Sequence, residues 1–225
     1  MVGLMIAFKY DKGDSLKTLT CDRRSLFGCL LIALVYFLGS GCTHAIPRFG
    51  MGGRYLQGRS EITKTRGGNV DQAIVALESV AREDPTYKDS LTLLGRAYYA
   101  KGRYGDAKLI LQRALAVEKE DEIAWLVLGM TQLRQGEDGK GLEAFMGGIT
   151  LLGKKSAEGY RGYIYWDLNG KVRIAIRRGV AAARKGLEEK EDLIRSGQNI
   201  LVAIDEEDWK QESEKGSHRE GVVGY

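Results

Sequence analysis

The side chains that most often carry out catalysis or bind transition metals are confined to the two ends of this 225-residue chain. Its cysteines are Cys21, Cys29 and Cys42, and its histidines are His44 and His218. The long segment between the two histidines therefore offers no thiolate or imidazole for nucleophilic catalysis or for a typical zinc site. We expect that this segment binds no metal and no cofactor.

Carboxylates are the remaining candidates for chemistry. Acid-rich runs occupy residues 188–192 and 205–208. A hydrolytic carboxylate pair must be held at a fixed separation across a cleft, whereas acidic runs are usually solvated faces of helices. We therefore predict that the protein is not an enzyme.

Composition indicates which elements must position the remaining side chains. The 34 basic and 30 acidic residues give a formal charge of +4 that is spread along the chain, so a nucleic-acid partner is not expected. Two prolines, many helix-forming residues and almost no alternation of β-branched residues favour an all-α fold.

A 34-residue interval runs through most of the chain. It links glycines at 68, 102, 136 and 170, and it links Ala73 with Ala107 and Leu77 with Leu111 and Phe145. It also links the motif Leu91-x-x-Leu94-Gly95 with Trp125-x-x-Leu128-Gly129. A repeat of this length with these small and apolar positions is typical of helix–turn–helix units.

The spacing resembles that of the tetratricopeptide repeat family. The resemblance implies a right-handed solenoid of antiparallel helix pairs over residues 59–204, with units at about 54–87, 88–121, 122–155 and 156–189 and a capping helix at 188–204. The two middle units match the pattern clearly and the outer two are degenerate. In these units the aromatic residues on repeat positions are expected in the core; they are Tyr98, Trp125, Phe145 and Trp166.

The N-terminal segment predicts export. Arg23 and Arg24 precede an apolar run at 26–38, which ends in Gly39-Ser40-Gly41-Cys42. A basic region, an apolar core and small residues form a secretory signal, here residues 1–41. The last four residues resemble a bacterial lipobox, which implies diacylation of Cys42 and, because Thr43 follows it, attachment to the outer membrane on its periplasmic side. The alternative is an uncleaved signal anchor in the inner membrane.

Two further segments are predicted to lack regular structure. Residues 42–58 contain Pro47, several glycines and no periodic apolar face, so they are interpreted as a lipidated tether. Residues 205–225 are polar and charged and are predicted to be a disordered tail, with Trp209 as the one side chain that could pack on the cap.

In the family that the chain resembles, the first helix of each pair lines a concave groove. When the residues of this chain are assigned to the family's repeat positions, the groove receives a stripe of apolar residues and arginines. Arginine, tyrosine and methionine are enriched at protein interfaces. The predicted groove residues are Asp89, Thr92, Arg96, Tyr99, Ile123, Leu126, Met130, Arg134, Tyr160 and Ile164. Leu133 and Asp167 lie beside them in the same register.

The sequence therefore predicts a membrane-tethered scaffold of the bacterial cell envelope that binds a protein or peptide through this groove. Three alternatives stay open at this point. They are a scaffold that self-associates through its degenerate terminal repeats, a spacer without a specific partner, and a non-catalytic accessory subunit of an envelope enzyme.

Overall fold

The computed structural model describes residues 50–64, 67–160 and 166–220. The signal, its apolar core and Cys42 lie outside these residues, as does Ile164. The described part is all α-helical and contains no strand. The α-helices are α1 (Met51–Thr63), α2 (Val70–Glu83), α3 (Ser90–Ala100), α4 (Tyr104–Val117), α5 (Glu122–Arg134), α6 (Asp138–Glu158), α7 (Lys171–Lys185) and α8 (Lys190–Glu220), and a 3₁₀ turn at Gly186–Glu189 joins the last two.

Successive helices pack in antiparallel pairs, α1 with α2, α3 with α4, α5 with α6 and α7 with α8. This confirms the predicted fold class of paired helices. The residues that recur at 34-residue spacing form the centre of the pairs, because Leu77, Ala107, Leu111 and Phe145 are all inaccessible to solvent. Of the four aromatic residues expected in the core, Tyr98, Phe145 and Trp166 are buried, whereas Trp125 is partly buried.

Local signals set the ends of the helices. The side chain of Asn69 accepts a hydrogen bond from the Gln72 backbone N–H at the start of α2, and Asp121 accepts one from Ala124 at the start of α5. Gly102 and Gly136 follow the ends of α3 and α5 with φ values of +74° and +79°. Only glycine adopts this left-handed conformation without a steric penalty, so these two glycines end the first helix of the two middle pairs.

The second small position of the repeat allows paired helices to approach closely. A Cβ atom on Gly129 of α5 would lie 2.4 Å from the backbone nitrogen of Phe145 and 2.8 Å from the carbonyl oxygen of Gly141, both on α6. The glycine at 141, where other units have alanine, faces Gly129 in return. The α5–α6 contact is therefore made by backbone against backbone.

Three predicted boundaries are wrong. Helix α1 begins at Met51, so the first pair starts inside the predicted tether. The unit predicted at 156–189 implies a first helix before about residue 169, but α6 continues to Glu158 and ends at Gly159, with φ +92°, and residues 166–169 form turns. Residues 161–165 of that unit lie outside the described ranges. The second helix of that unit does form, as α7.

The third correction concerns the C-terminus. Helix α8 does not end near residue 204 but continues to Glu220, through most of the predicted disordered tail. Polar contacts support this extension, because the Trp166 indole donates to the Asp208 carboxylate at 3.3 Å and the Asp167 backbone N–H donates to Glu207 at 3.1 Å. Trp209, the side chain expected to pack on the cap, is 72% exposed.

Candidate functional site

The C-terminal helix covers much of the predicted partner-binding stripe. Helix α8 contacts α5 directly and is joined to α3 by side-chain bonds that span about a hundred residues of sequence. The close packing of α8 is possible because Gly197 has no side chain. A Cβ atom at this position would lie 2.6 Å from the Met130 sulfur and 2.7 Å from the Phe145 ring. The chain's own last helix thus lies where a partner was expected.

Arg96 of α3 is held by this helix. Its guanidinium donates two hydrogen bonds to the Asp205 carboxylate, at 3.1 Å and 2.5 Å. The two side chains retain only 10% and 9% of their exposure. A bidentate arginine–carboxylate pair with little solvent access is among the stronger polar contacts in proteins, so Arg96 is engaged within the chain rather than free for a ligand.

Tyr99 and Arg134 are also engaged with α8. The Tyr99 hydroxyl accepts a hydrogen bond from the Gln198 amide at 3.5 Å, and burial raises the pKa of its phenol. The Arg134 guanidinium donates to the Glu191 carboxylate at 2.8 Å. This second arginine–carboxylate contact is more exposed than that of Arg96.

The apolar members of the stripe are core residues. Leu126 and Met130 are inaccessible to solvent, and Leu133 and Ile123 retain 1% and 4% exposure. Leu126 and Met130 therefore cannot contact a partner in this structure. Helix α6 packs against Leu126 and helix α8 packs against Met130.

Tyr160 and Asp167 have structural contacts. The Tyr160 ring lies 4.2 Å from that of Trp166, and its hydroxyl donates to the buried Glu122 carboxylate. Asp167 accepts hydrogen bonds from the backbone N–H groups of Val172 and Arg173 at 2.8 Å and 2.9 Å, which caps the start of α7. Both side chains stabilise the segment that leads from α6 to α7.

An open cavity of about 1070 Å³ remains beside the covered stripe. It lies between α1, the first turns of α3 and α5, and the C-terminal half of α8. The structure brings four of the predicted groove residues to its wall, namely Asp89, Thr92, Arg96 and Ile123. The open part of the predicted surface is thus its end nearest the N-terminal repeat.

Ion pairs line much of this cavity. Arg59 bonds to Glu212 at 2.7 Å across the cavity mouth, Lys155 bonds to Glu122 at 2.6 Å, and Lys171 lies 3.6 Å from Glu206. Opposite charges therefore offset each other along the wall. Within the described residues no group of histidine, cysteine or acidic side chains could hold a metal ion.

Hydrogen bonds also satisfy the acids at the base of the cavity. The Tyr55 hydroxyl donates to Asp89 at 2.6 Å, and the Thr92 hydroxyl donates to Asp121. Burial raises the pKa of the Asp121 carboxyl, which opposes its ionisation, while the bond from Thr92 lowers it. This base resembles a packed polar interior rather than a site poised for acid–base chemistry.

Two apolar side chains project from the cavity wall and were not predicted as site residues. Leu56 of α1 is 57% exposed and Trp209 of α8 is 72% exposed. Exposed tryptophan is uncommon in a monomer surface and frequent at protein interfaces. One feature of the sequence indicated this role for Trp209, because it is a lone tryptophan in a strongly polar segment. The feature was not used, because that segment was predicted to be a disordered tail.

One protein-family model matches part of the helical repeat region. Residues 66–137, which span α2 to α5, match the model of the tetratricopeptide repeat. This segment is therefore similar to tetratricopeptide repeats, in agreement with its paired helices. A search of curated proteins found no match to the chain.

Tetratricopeptide repeats generally mediate protein–protein interaction and are typically non-catalytic. Helices α3 and α5 of this matched segment form part of the cavity wall, whereas Leu56 of α1 and Trp209 of α8 lie outside the segment. None of the helices in the described ranges has the length and apolar character needed to cross a membrane.

Proposed function

We propose that the protein is a membrane-tethered scaffold of the bacterial cell envelope that binds an extended segment of a partner protein in the open cavity. The observation that carries the proposal is the position of Trp209 and Leu56, which are exposed on the wall of a cavity that α3 and α5 of the matched segment also line. Interfaces are commonly anchored by a few large apolar side chains surrounded by polar contacts.

The dimensions favour a peptide over a small molecule. A cavity of about 1070 Å³ slightly exceeds the range of roughly 300–1,000 Å³ that is usual for small-molecule sites. It is open to solvent and carries paired charges on its wall, whereas small-molecule sites usually bury most of their ligand. We infer a partner segment with an apolar anchor that contacts Trp209 and Leu56 and with polar groups on either side.

The first prediction tests this cavity. Replacing Leu56 and Trp209 together by alanine should reduce partner capture by about tenfold or more, because tryptophan anchors commonly contribute at least about 2 kcal/mol to binding. The measurement is cross-linking in cells followed by quantitative mass spectrometry of the captured proteins from membranes.

A matched control is available on other helices. Val75 of α2 and Leu109 of α4 are 63% and 62% exposed and lie outside the cavity lining. The Val75→Ala, Leu109→Ala variant should capture the same partners as the unchanged chain. If the cavity variant captures the same proteins in the same amounts as this control, the cavity is not the binding site.

The membrane attachment is supported by the N-terminal sequence. Arg23 and Arg24, the apolar run at 26–38 and the small residues before Cys42 have the order of a lipoprotein signal. After cleavage, Cys42 would be the N-terminal residue, with acyl chains on its thiol and on its α-amino group. These chains would supply more than the two membrane anchors that stable attachment needs. The outer-membrane location follows from Thr43 only by analogy with known lipoproteins.

The second prediction tests this attachment. Cells fed an alkyne-bearing fatty acid should incorporate it into the unchanged chain and into the Cys29→Ser variant, but not into Cys42→Ser. The apparent mass of the labelled protein should also show that residues 1–41 have been removed. Label on Cys42→Ser, or an unlabelled chain that retains its full mass, would instead favour the inner-membrane signal anchor.

A further inference from the structure

Helix α7 concentrates positive charge to a degree that the sequence analysis did not anticipate. It contains six cations and no acid within residues 171–185, which exceeds the formal charge of +4 of the entire chain. The remainder of the chain is therefore net acidic. The cations of α7 are Lys171, Arg173, Arg177, Arg178, Arg184 and Lys185.

The fold places all of these cations on one side. The buried face of α7 consists of small and apolar residues packed into the core: Val172, Ala175, Ile176, Gly179 and Ala183. Because this face spans one side of the helix, the six cations occupy the opposite, exposed side. The packing of α7 against α8 therefore creates a basic surface, which we call the arginine face.

Half of these cations already have partners. Arg173 contacts Asp167, Lys185 contacts Glu189 at 2.8 Å, and Lys171 lies near Glu206. Arg177, Arg178 and Arg184 have no ion pair among the residues that the structure describes, and all three are exposed. The arginine face thus retains three guanidinium groups able to bind anions.

One exposed apolar side chain lies among these cations, and two others lie on the segments next to α7. Ile174 is 47% exposed and is one helical turn from both Arg177 and Arg178. Leu168, in the turn before α7, is 69% exposed, and Val202 of α8 lines the same shallow groove as Ile174 and is 44% exposed. The surface therefore combines guanidinium groups with apolar side chains that are able to enter a lipid interface.

We propose that the arginine face binds the surface of a bilayer that contains anionic phospholipids. Guanidinium groups form bidentate hydrogen bonds with phosphate, and the neighbouring Ile174 and Leu168 would enter the boundary between headgroups and acyl chains. Nucleic acid is the less suitable partner, because no aromatic side chain on α7 offers a base a stacking surface. The inference deepens the proposed function by adding a second contact with the membrane, and it rests on that proposal for the proximity of a bilayer.

The test uses a fluorescent reporter on the full-length chain. All three cysteines lie at or before residue 42, so replacing them by serine allows a single environment-sensitive dye to be attached at Leu168→Cys. Vesicles of phosphatidylcholine mixed with phosphatidylglycerol should increase and blue-shift the emission, and vesicles of phosphatidylcholine alone should not. The same dye at Leu109→Cys, a comparably exposed site on α4, should respond to neither.

Variants assign the effect to the arginine face. Changing Arg177, Arg178 and Arg184 to glutamine should raise the anionic lipid concentration needed for half-maximal signal by about a hundredfold, since each basic residue near a charged membrane contributes roughly fivefold. A control variant that changes Arg113, Lys119 and Lys154 to glutamine loses the same charge from other exposed sites and should behave like the parent.

Three outcomes would overturn the inference. They are an equal response to neutral and anionic vesicles, an unchanged response in the arginine variant, and a response to RNA with none to vesicles. The cysteine-free chain cannot be acylated at residue 42, so these outcomes do not depend on whether the proposed lipid anchor exists. Failure of the fatty-acid labelling of Cys42 would in turn leave this measurement intact.

Discussion

Changing Gly129 to alanine is expected to lower the free energy of unfolding by about 3 kcal/mol, because overpacking of a tight core forces backbone shifts. The new methyl group would lie 2.4 Å from the Phe145 nitrogen and 2.7 Å from the Phe145 Cα atom. Neither atom belongs to a side chain that could rotate away. Helix α6 would have to move as a unit, and it also packs against α7.

A second glycine in the same helix pair provides the control. Gly147 of α6 has no atom within 4 Å of the position that a Cβ would occupy, so Gly147→Ala should stabilise the protein by about 1 kcal/mol through helix propensity. Urea denaturation followed by circular dichroism would measure both changes. Equal effects of the two substitutions would show that the α5–α6 contact is not close-packed.

Removing the Asp205 carboxylate is expected to produce the other large effect. Asp205→Ala would leave the Arg96 guanidinium nearly buried without its partner, and breaking a buried pair in this way costs about 3–5 kcal/mol. Since Asp205 lies near the middle of α8, the loss should appear first as faster hydrogen exchange in that helix. It should also appear as a lower urea midpoint for the whole chain.

Two variants separate this effect from a general change of charge. Asp192→Ala removes a carboxylate from the exposed pair with Arg195 on the same helix and should change stability little. The double variant Arg96→Leu, Asp205→Leu leaves no unpaired charge and should recover most of the stability lost in Asp205→Ala. If Asp205→Ala resembled Asp192→Ala, the contact between α3 and α8 would not be formed in solution.

The sequence allowed the repeat architecture to be predicted because its signals are local. Ala107 and Leu111 lie one turn apart in one helix, and each must fit against a partner helix only a few residues away along the chain. Gly102 ends α3 through its own backbone conformation. Such positions recur at a fixed interval, so even a single sequence reveals them.

The partner-binding stripe could be predicted only in part, because its environment depends on distant residues. Arg96, Thr92 and Asp89, which the register assigned to the groove, lie on a cavity wall in the structure. It could not show that Asp205, more than a hundred residues later, would bind Arg96, or that Gly197 would allow α8 to cover Met130. Apolar residues on the same helical face look alike in sequence whether a partner or the chain itself covers them.

The second half of α8, residues 205–220, was not predicted for a related reason. Glu207 and Asp208 are buried where they accept hydrogen bonds from the turn at 166–167, and they do not belong to an apolar face of the helix. The segment therefore has the composition of a solvated tail. Trp209, in turn, points outward where packing was expected. Polar burial of this kind leaves no periodic signal.

The cover that α8 gives to earlier helices has a consequence for biosynthesis. A ribosome completes α1 to α7 before it reaches residue 190, so Met130 and the surface around it lack their contact with α8 until that helix has been made. A product that terminates before residue 190 keeps this apolar strip exposed and available to chaperones and proteases. The contact between Gly197 and Met130 therefore forms only after all the helices from α1 to α7 have been synthesised.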